Sequence, residues 1–585
     1  MRVAAAVLGL IAIQAFIGAK TARAGGIEYA GAGTQALARG GAVAARADDP
    51  MVLMYNPAGL VELRGAQLML NANLALMDAC VDPFGYYGWS AYGGGKPSRL
   101  TDPDNPADTV TLNLGRPADI GPAEQAYYTG ALDTVCMEQN LTPVPEVGFT
   151  ARVTDRFAFG IGLIFPGVTP QGHWGGETGL IRGAAGLRPA ATRYMMINSG
   201  TIGVFPTIGL AYKIADWLRI GASFRSGVIN VDNTSIAAVQ VGTTPANDQL
   251  VRVNATDWFI PELTGSLHIV PVDAIDIVVG FHYQGDLDAP GDISITTGLY
   301  DSTLKPRTKV NGIIGVRQKF PWKGWVGLRY ADRLAPRPQG KIAEDSQIGA
   351  GGSVEDAFQT ERWDVEADIH YEMNARHREL SIEYVPDQFA EFESLSGMVT
   401  TQAFPDPSMP STRIQKRWKD QISVRVGGSY NILPGLFGVS AGFHFENRGV
   451  DPSYMQIDYW PLQRVGLHGG IRVRIAKTVD LMFAYAHIFQ ETLVVAAPAH
   501  QNVDVIGAEY LASGRVVNID KRAGLPSSGT PLTPLEERKS ASVDGEARLT
   551  QNFAKALRGT PPAIVNSGRY RSGMNVISAG MNLHF

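Results

Sequence analysis

The chain has 585 residues, with 51 Lys and Arg against 56 Asp and Glu and a formal net charge of -5. It therefore lacks both the basic footprint of a nucleic-acid binder and a polybasic membrane anchor. Hydrophobic residues make up 45%, charged residues 18% and glycines number 66, while mean hydropathy is -0.03, which suits either several soluble domains or one large sheet with a lipid face and a wet face. The two cysteines, Cys80 and Cys136, are too few for a disulfide scaffold or a structural zinc site and leave room for one exported disulfide.

Residues 1–24 combine a charged start, an apolar stretch from Val3 to Ala19 and the ending Ala22-Arg23-Ala24, the pattern of a signal peptide cleaved near Gly25. Downstream, no uninterrupted apolar run approaches the ~18 residues that a membrane-crossing helix needs. A mature chain that spans a bilayer does so with strands.

After a Gly- and Ala-rich stretch, Asn56-Pro57-Ala58 reads as a turn, because proline fixes φ and the Asn side chain can bond nearby backbone. A first strand follows at about 66–77. The segment 78–144 is rich in Gly, Pro, Asn and Asp, and Phe84, Tyr86, Tyr87, Trp89 and Tyr92 give it the character of either an apolar receiving surface or an interfacial belt. Asp102, Asp104 and Asn105 have a faint calcium-loop look but lack the rest of a ligand set, so no metal site is expected. The strand FAFGIGLIF runs into Pro166-Gly167, which either breaks the ladder and opens a gap in the wall or starts an outer loop.

Further along, period-two alternation recurs. In RWDVEADIHY, Trp363, Val365, Ala367, Ile369 and Tyr371 oppose Arg362, Asp364, Glu366, Asp368 and His370; the carboxylates read as a salt-bridged lining shared with Arg362. In LFGVSAGFHFE, Phe437 to Phe445 oppose Gly438 to Glu446. In VGLHGGIRVRI, Arg472 and Arg474 fall on the polar face, where a soluble core has no place for them and a watery lumen does. Short turns near 154–156, 215–216, 272–274, 321–323, 374–375, 433–435 and 477–478 trade places with long segments at 78–144, 166–191, 228–254, 335–359, 388–414 and 492–572. Short turns on one side and long loops on the other mark an outer-membrane barrel, and direct counting gives sixteen strands. The segment 533–558 reads as a helical, solvated cap. The last strand, MNVISAGMNLHF, ends on Phe585, which resembles the terminal signal read by barrel assembly machinery.

The stretch Gly33 to Leu60 with its core Asn56-Pro57-Ala58, the pieces at 152–167 and 205–224, and the ending at 565–585 resemble the FadL-type long-chain fatty acid and hydrocarbon transporter family. The resemblance implies an all-β fold: a transmembrane antiparallel β-barrel of 14 strands, against 16 by direct count, the surplus hairpin falling within 307–387. It also implies a small hatch in the lumen, giving a signal peptide at 1–24, a hatch at 25–65 and a barrel at 66–585. Asn56, Pro57 and Ala58 would gate the pore, and Pro166 and Gly167 would mark an inward kink that opens a lateral exit. Cys80 and Cys136 flank the first outer loop, as a disulfide closing it or as two unrelated thiols. Partners would be a hydrophobic small molecule, outer-membrane lipid and the assembly machinery. No phosphate loop or HExxH is present in the sequence, so the expectation is no enzyme and no cofactor. Transport would be passive. The alternatives are a general diffusion porin, a channel for aromatic or alkane hydrocarbons, and a lipid hydrolase with a Ser and His pair near the membrane edge.

Overall fold

A computed structural model describes residues 33–83, 133–139, 144–164, 172–183, 186–237, 249–296, 309–337, 356–384, 412–495, 566 and 568–585, with short loop strands at 98–101, 109–112, 389–393, 399–403, 508–510 and 516–519. Residues 1–32, the aromatics Phe84 to Tyr92, Asp102 to Asn105, Pro166, Gly167 and the segment 533–558 lie outside the described residues.

Fourteen antiparallel strands close a barrel: β1 (Ala66–Pro83), β2 (Val144–Arg152), β3 (Phe157–Leu163), β4 (Pro206–Ala215), β5 (Leu218–Ala237), β6 (Gln249–Val272), β7 (Ile275–Gln284), β8 (Lys323–Arg333), β9 (Glu361–Glu372), β10 (Gln421–Leu433), β11 (Phe437–Glu446), β12 (Arg464–Ala476), β13 (Val479–Gln490) and β14 (Gly568–His584). Each pairs with the next, and β14 pairs with β1 from Gln67 opposite His584 to Pro83 opposite Gly568. A closed sheet leaves no backbone group unpaired toward lipid, which is what allows strands to cross a bilayer. The alternation decides the faces. Ile208, Leu210, Leu263, Leu267, Phe281, Ile369, Leu467, Ile471 and Phe483 are exposed, while Arg219, Arg225, Glu262, His268, Asp364, Asp368 and Arg472 are buried. The barrel is apolar outside and polar within.

The sixteen-strand count is corrected to fourteen. Lys309–Gln318 does not form a hairpin with β8; it pairs with Leu287–Thr296 and with Glu379–Tyr384. Leu287–Thr296 in turn pairs with the upper half of β6, whose lower half pairs with β7. The sheet therefore forks, and the two supposed hairpins near 321–323 and 374–375 are the places where the chain crosses between its branches. The strands beside the fork are long, 20 residues in β5 and 24 in β6, about twice the ~9–11 residues that span a bilayer.

These long strands also correct the expected loop at 228–254. A bulge between Gly227 and Ile229 lies opposite Trp258 and Phe259, both exposed. One extra residue reverses which parity points inward, so Ile260, Glu262 and Thr264 face in below the bulge and Asp257, Ala255 and Val253 above it. Trp258, 74% exposed, marks the upper edge of the lipid-facing band.

Strands join by short turns at one end, the turn end, and by long connections at the other, the loop end. The segment 335–359, expected as an outer loop, is the exception: Ile275 at the start of β7 pairs with Tyr330, so this connection leaves β8 at the turn end.

Candidate functional site: the barrel interior

Residues 33–63 run against the inward faces of the strands. Helix α1 (Thr34–Ala38) stops at a pair of glycines with positive φ, Gly40 and Gly41, and the amides of Gly40 and Gly41 donate to the carbonyls of Leu37 and Ala36. This is a Schellman stop, which glycine permits without a Cβ penalty. It aims Arg39, fully buried, at the wall. Arg39 Nη2 donates to Asp364 Oδ2 at 2.7 Å and to Glu366 at 3.3 Å, and Nη1 to Ser429 Oγ at 2.8 Å. The amides of Val43 and Ala44 donate to Asp368 at 3.0 Å each, and that of Ala45 to Glu366 at 2.6 Å. Arg46 also pairs with Asp364. Asp364, Glu366 and Asp368 of β9 thus bond the N-terminal segment, Arg329 of β8 also pairs with Asp364, and Arg362, expected as the carboxylates' partner, is exposed instead.

Helix α2 (Val52–Tyr55) and the following 3-10 turn Pro57–Glu62 bring Asn56, Pro57 and Ala58 together in one buried seat. Ser266 Oγ donates to Asn56 Oδ1 at 3.0 Å and accepts from the Ala58 amide at 2.9 Å, and Asn56 Nδ2 lies 3.3 Å from His268 Nδ1. The seat depends on Gly221 of β5, where a Cβ would stand 2.3 Å from the Ala58 nitrogen. Leu53, Leu60 and Val61 complete it with an apolar contact to Met69, Ala158 and Ala211.

Below this segment the turn end is densely charged. Arg219 and Arg337 both bond Glu62, at 2.5 and 3.1 Å. Burial alone would raise the Glu62 carboxyl, but Arg337 and Arg219 override it and hold it down at about 2. Asp49 goes the other way: burial and the neighbouring Asp48 charge push it up to about 7. Arg472 reaches Asp48 at 3.1 Å and Asp480 at 2.6 Å, and Arg474 reaches Asp480 and Asp356 at 2.6 Å each. Asp356, Asp480 and His584 bring three ligand-type side chains close together, yet two guanidiniums already neutralise the carboxylates. Arg472 and Arg474 sit in an ion-paired floor rather than the watery lumen expected for them. The cavity left here, about 80 Å³ beside Glu62, Asp276 and Arg329, is large enough for water and falls short of the ~300 Å³ typical of a small-molecule site.

Toward the loop end the interior turns apolar. Ala75, Met77 and Ala79 of β1, Ala484, Ala486 and Ile488 of β13, and Met574 and Val576 of β14 form one buried cluster with Leu37 and Ala38 of α1. Trp174 and Trp460 stack above them at 5.7 Å, with Tyr570 edge-on to Trp460 at 5.8 Å. Sequence reading missed Arg39, Arg46, Trp174 and Trp460. The only local signal for the two arginines was a long charged side chain in a stretch otherwise made mostly of Ala and Gly.

Of the candidates, Asn56, Pro57 and Ala58 meet the wall as described. A disulfide joins Cys80 of β1 to Cys136, its register partner. The ladder of β3 is continuous from Phe157 to Leu163 toward β4 and from Ala158 to Leu163 toward β2, and the wall is paired again at Gly172 and His173; the residues of the expected kink lie between, outside the described set.

No protein-family model matches the sequence, and no curated protein matches it. Solved structures do. A Pseudomonas aeruginosa FadL homologue covers 97% of this chain and all of its own, with 13% identity and a TM-score of 0.56. The P. putida toluene transporter TodX covers 96% of this chain and 99% of its own at 13% identity and a TM-score of 0.51. The CymD monoaromatic hydrocarbon channel covers the same shares at 11% identity and a TM-score of 0.50. At such identities the likeness is one of fold: this chain has the barrel of FadL-type outer-membrane channels.

Proposed function

We propose that the chain is an outer-membrane channel that passes hydrophobic small molecules, long-chain fatty acids foremost, by passive diffusion. The observation that carries this reading is the polarity of the interior. An apolar cluster at the loop end gives way to an ion-paired floor at the turn end, with residues 33–63 between them. A ligand that leaves water to pack against the cluster gains roughly 25 cal/mol per Å² of apolar surface buried. It gains nothing from the charged floor.

In this reading the signal peptide is removed, the turn end faces the periplasm, and residues 33–63 act as the hatch with Asn56-Pro57-Ala58 as its seat. Ligand is captured at the loop end, where the disulfide tethers the aromatic loop, and leaves through the wall near Pro166 and Gly167 once the seat loosens. The test is uptake of a labelled long-chain fatty acid by cells lacking their own transporter, comparing the intact chain with one deleted for Gly25 to Gly59 and recording ion conductance in parallel. Saturable uptake with low conductance, and leakiness only after deletion, is the expected result. High conductance of the intact chain without uptake would replace the reading with a diffusion porin.

A second reading, monoaromatic hydrocarbons, draws on the stacked Trp174 and Trp460 and on the names of the toluene and monoaromatic channels that share the fold. Toluene uptake competing with fatty acid uptake would separate the two.

A further inference from the structure

Two basic runs, Arg376-His377-Arg378 and Lys416-Arg417-Trp418-Lys419, contribute nothing to the transport path described above. They lie where the chain crosses between the branches of the sheet, the first between β9 and Glu379–Tyr384 and the second between Thr412–Gln415 and β10. Lys323, Glu372 and Gln421 are register partners across β8, β9 and β10, so these crossings share one level. The backbone joins them. The amides of Lys416 and Arg417 donate to the Arg378 carbonyl at 2.7 and 2.9 Å. Lys319 stands beside them, one residue beyond Gln318, whose register partner is Leu380, and its carbonyl lies 3.2 Å from His377 Nδ1.

Half of these cations have a carboxylate. Arg376 Nη2 donates to Asp286 at 3.1 Å, Lys419 pairs with Asp451 at 2.9 Å, and Lys416 pairs with Asp458. Lys319, Arg378 and Arg417 are exposed and have none among the described residues. The nearby acids are engaged elsewhere: Glu379 accepts from Gln415 at 2.8 Å and pairs with Arg413 at 3.8 Å, while Asp420 accepts from the Tyr371 hydroxyl and the Ala375 amide. Like charges on adjoining backbone repel, and an anion among them relieves the repulsion. Aromatic rings set the depth of the cluster. Trp322 extends the edge marked by Trp258: it lies 5.3 Å from Tyr283 and edge-on to exposed Phe281 at 6.4 Å, with the Arg376 guanidinium 4.0 Å over its ring. Such rings settle at the head-group level of a membrane. The three free cations therefore stand where lipid phosphates lie.

We infer that Lys319, Arg378 and Arg417 form a docking site for a phosphorylated glycolipid of the outer leaflet, with its phosphates among the three cations. Its acyl chains lie below on the lipid-facing wall, over exposed Phe281 and Ile369. Three cations on three separate segments suit a head group with more than one phosphate, whereas a lipid with a single phosphate leaves part of the cluster unmatched. The inference rests on the orientation given above, with the loop end outward, and is independent of what the channel carries.

The experiment titrates the purified full chain in detergent with diphosphoryl lipid A, its dephosphorylated form and phosphatidylglycerol, counting bound lipid by native mass spectrometry. Diphosphoryl lipid A should bind tightest. A cation beside an anionic lipid contributes about fivefold in affinity, so Lys319→Gln, Arg378→Gln and Arg417→Gln together should weaken it about a hundredfold. Lys477→Gln, in the turn between β12 and β13, should change nothing. Resistance of the barrel to dodecyl sulfate shows that a variant is folded; Lys319→Gln alone, with an expected fivefold loss, serves if the triple variant is not. Undiminished binding by the folded triple variant, or equal binding of the dephosphorylated lipid, overturns the inference. Displacement by equimolar pyrophosphate also overturns it, in favour of a soluble phosphate anion. A preference for phosphatidylglycerol overturns it together with the orientation. Uptake by the intact chain is read separately, so the transport reading stands or falls on its own assay.

Discussion

Arg39 shows how single residues hold the N-terminal segment in place. It donates to three side chains from a fully buried position, so Arg39→Met takes the paired guanidinium from buried Glu366, while Asp364 keeps Arg46 and Arg329. Breaking a buried pair from one side costs about 3–5 kcal/mol. Limited proteolysis should then cut within residues 33–63 while the barrel stays folded. Asp49 supplies a pH dependence. Its value in the seated segment, about 7, lies above the ordinary 3.8, so the seated form prefers the protonated carboxyl. That contribution is complete below about pH 4 and is lost as pH rises through about 7. Protease protection of residues 33–63 should therefore weaken between these limits, and Asp49→Asn should hold it constant to pH 8. An unchanged wild-type profile would remove the assignment.

Where one element lies on another, glycine sets the distance. A Cβ at Gly221 would stand 2.3 Å from Ala58 backbone, and one at Gly442 would stand 2.0 Å from the Arg39 carbonyl carbon. Gly442→Val should unseat α1 and raise single-channel conductance, whereas Gly265→Val, whose added Cβ meets nothing within 4 Å, should leave conductance at the wild-type level. The strands themselves were legible in the sequence wherever period two ran undisturbed, as in β11 and β12. Reading failed at the bulge opposite Trp258, where the parity of β6 flips and an alternating segment looks like a loop. It failed also at the fork, because sequence periodicity reports which face a residue takes and not which strand it pairs with. The seat of Asn56-Pro57-Ala58 was legible as a turn; its contacts with Gly221, Ser266 and His268 join residues far apart in the chain and left no local trace.

Across the whole barrel the strands differ in length, and β5 and β6 extend past the aromatic edge at Trp258. The lipid-facing band should therefore end there. Leu267→Arg, in mid-band, should cost about 2–4 kcal/mol in denaturant unfolding from lipid vesicles, and Asn254→Arg, above the edge, close to zero. Equal costs would place the membrane elsewhere. The closure of β14 on β1 has a further consequence, for biosynthesis. The first strand waits unpaired on one side until the last has been delivered, and residues 33–63, which bond strands β9, β10 and β12, lie in sequence ahead of all of them. Folding therefore resembles packing a case whose contents must be in place before the lid meets the rim: a segment that misses its seat when the wall shuts has no covalent route back in without reopening the β1–β14 seam.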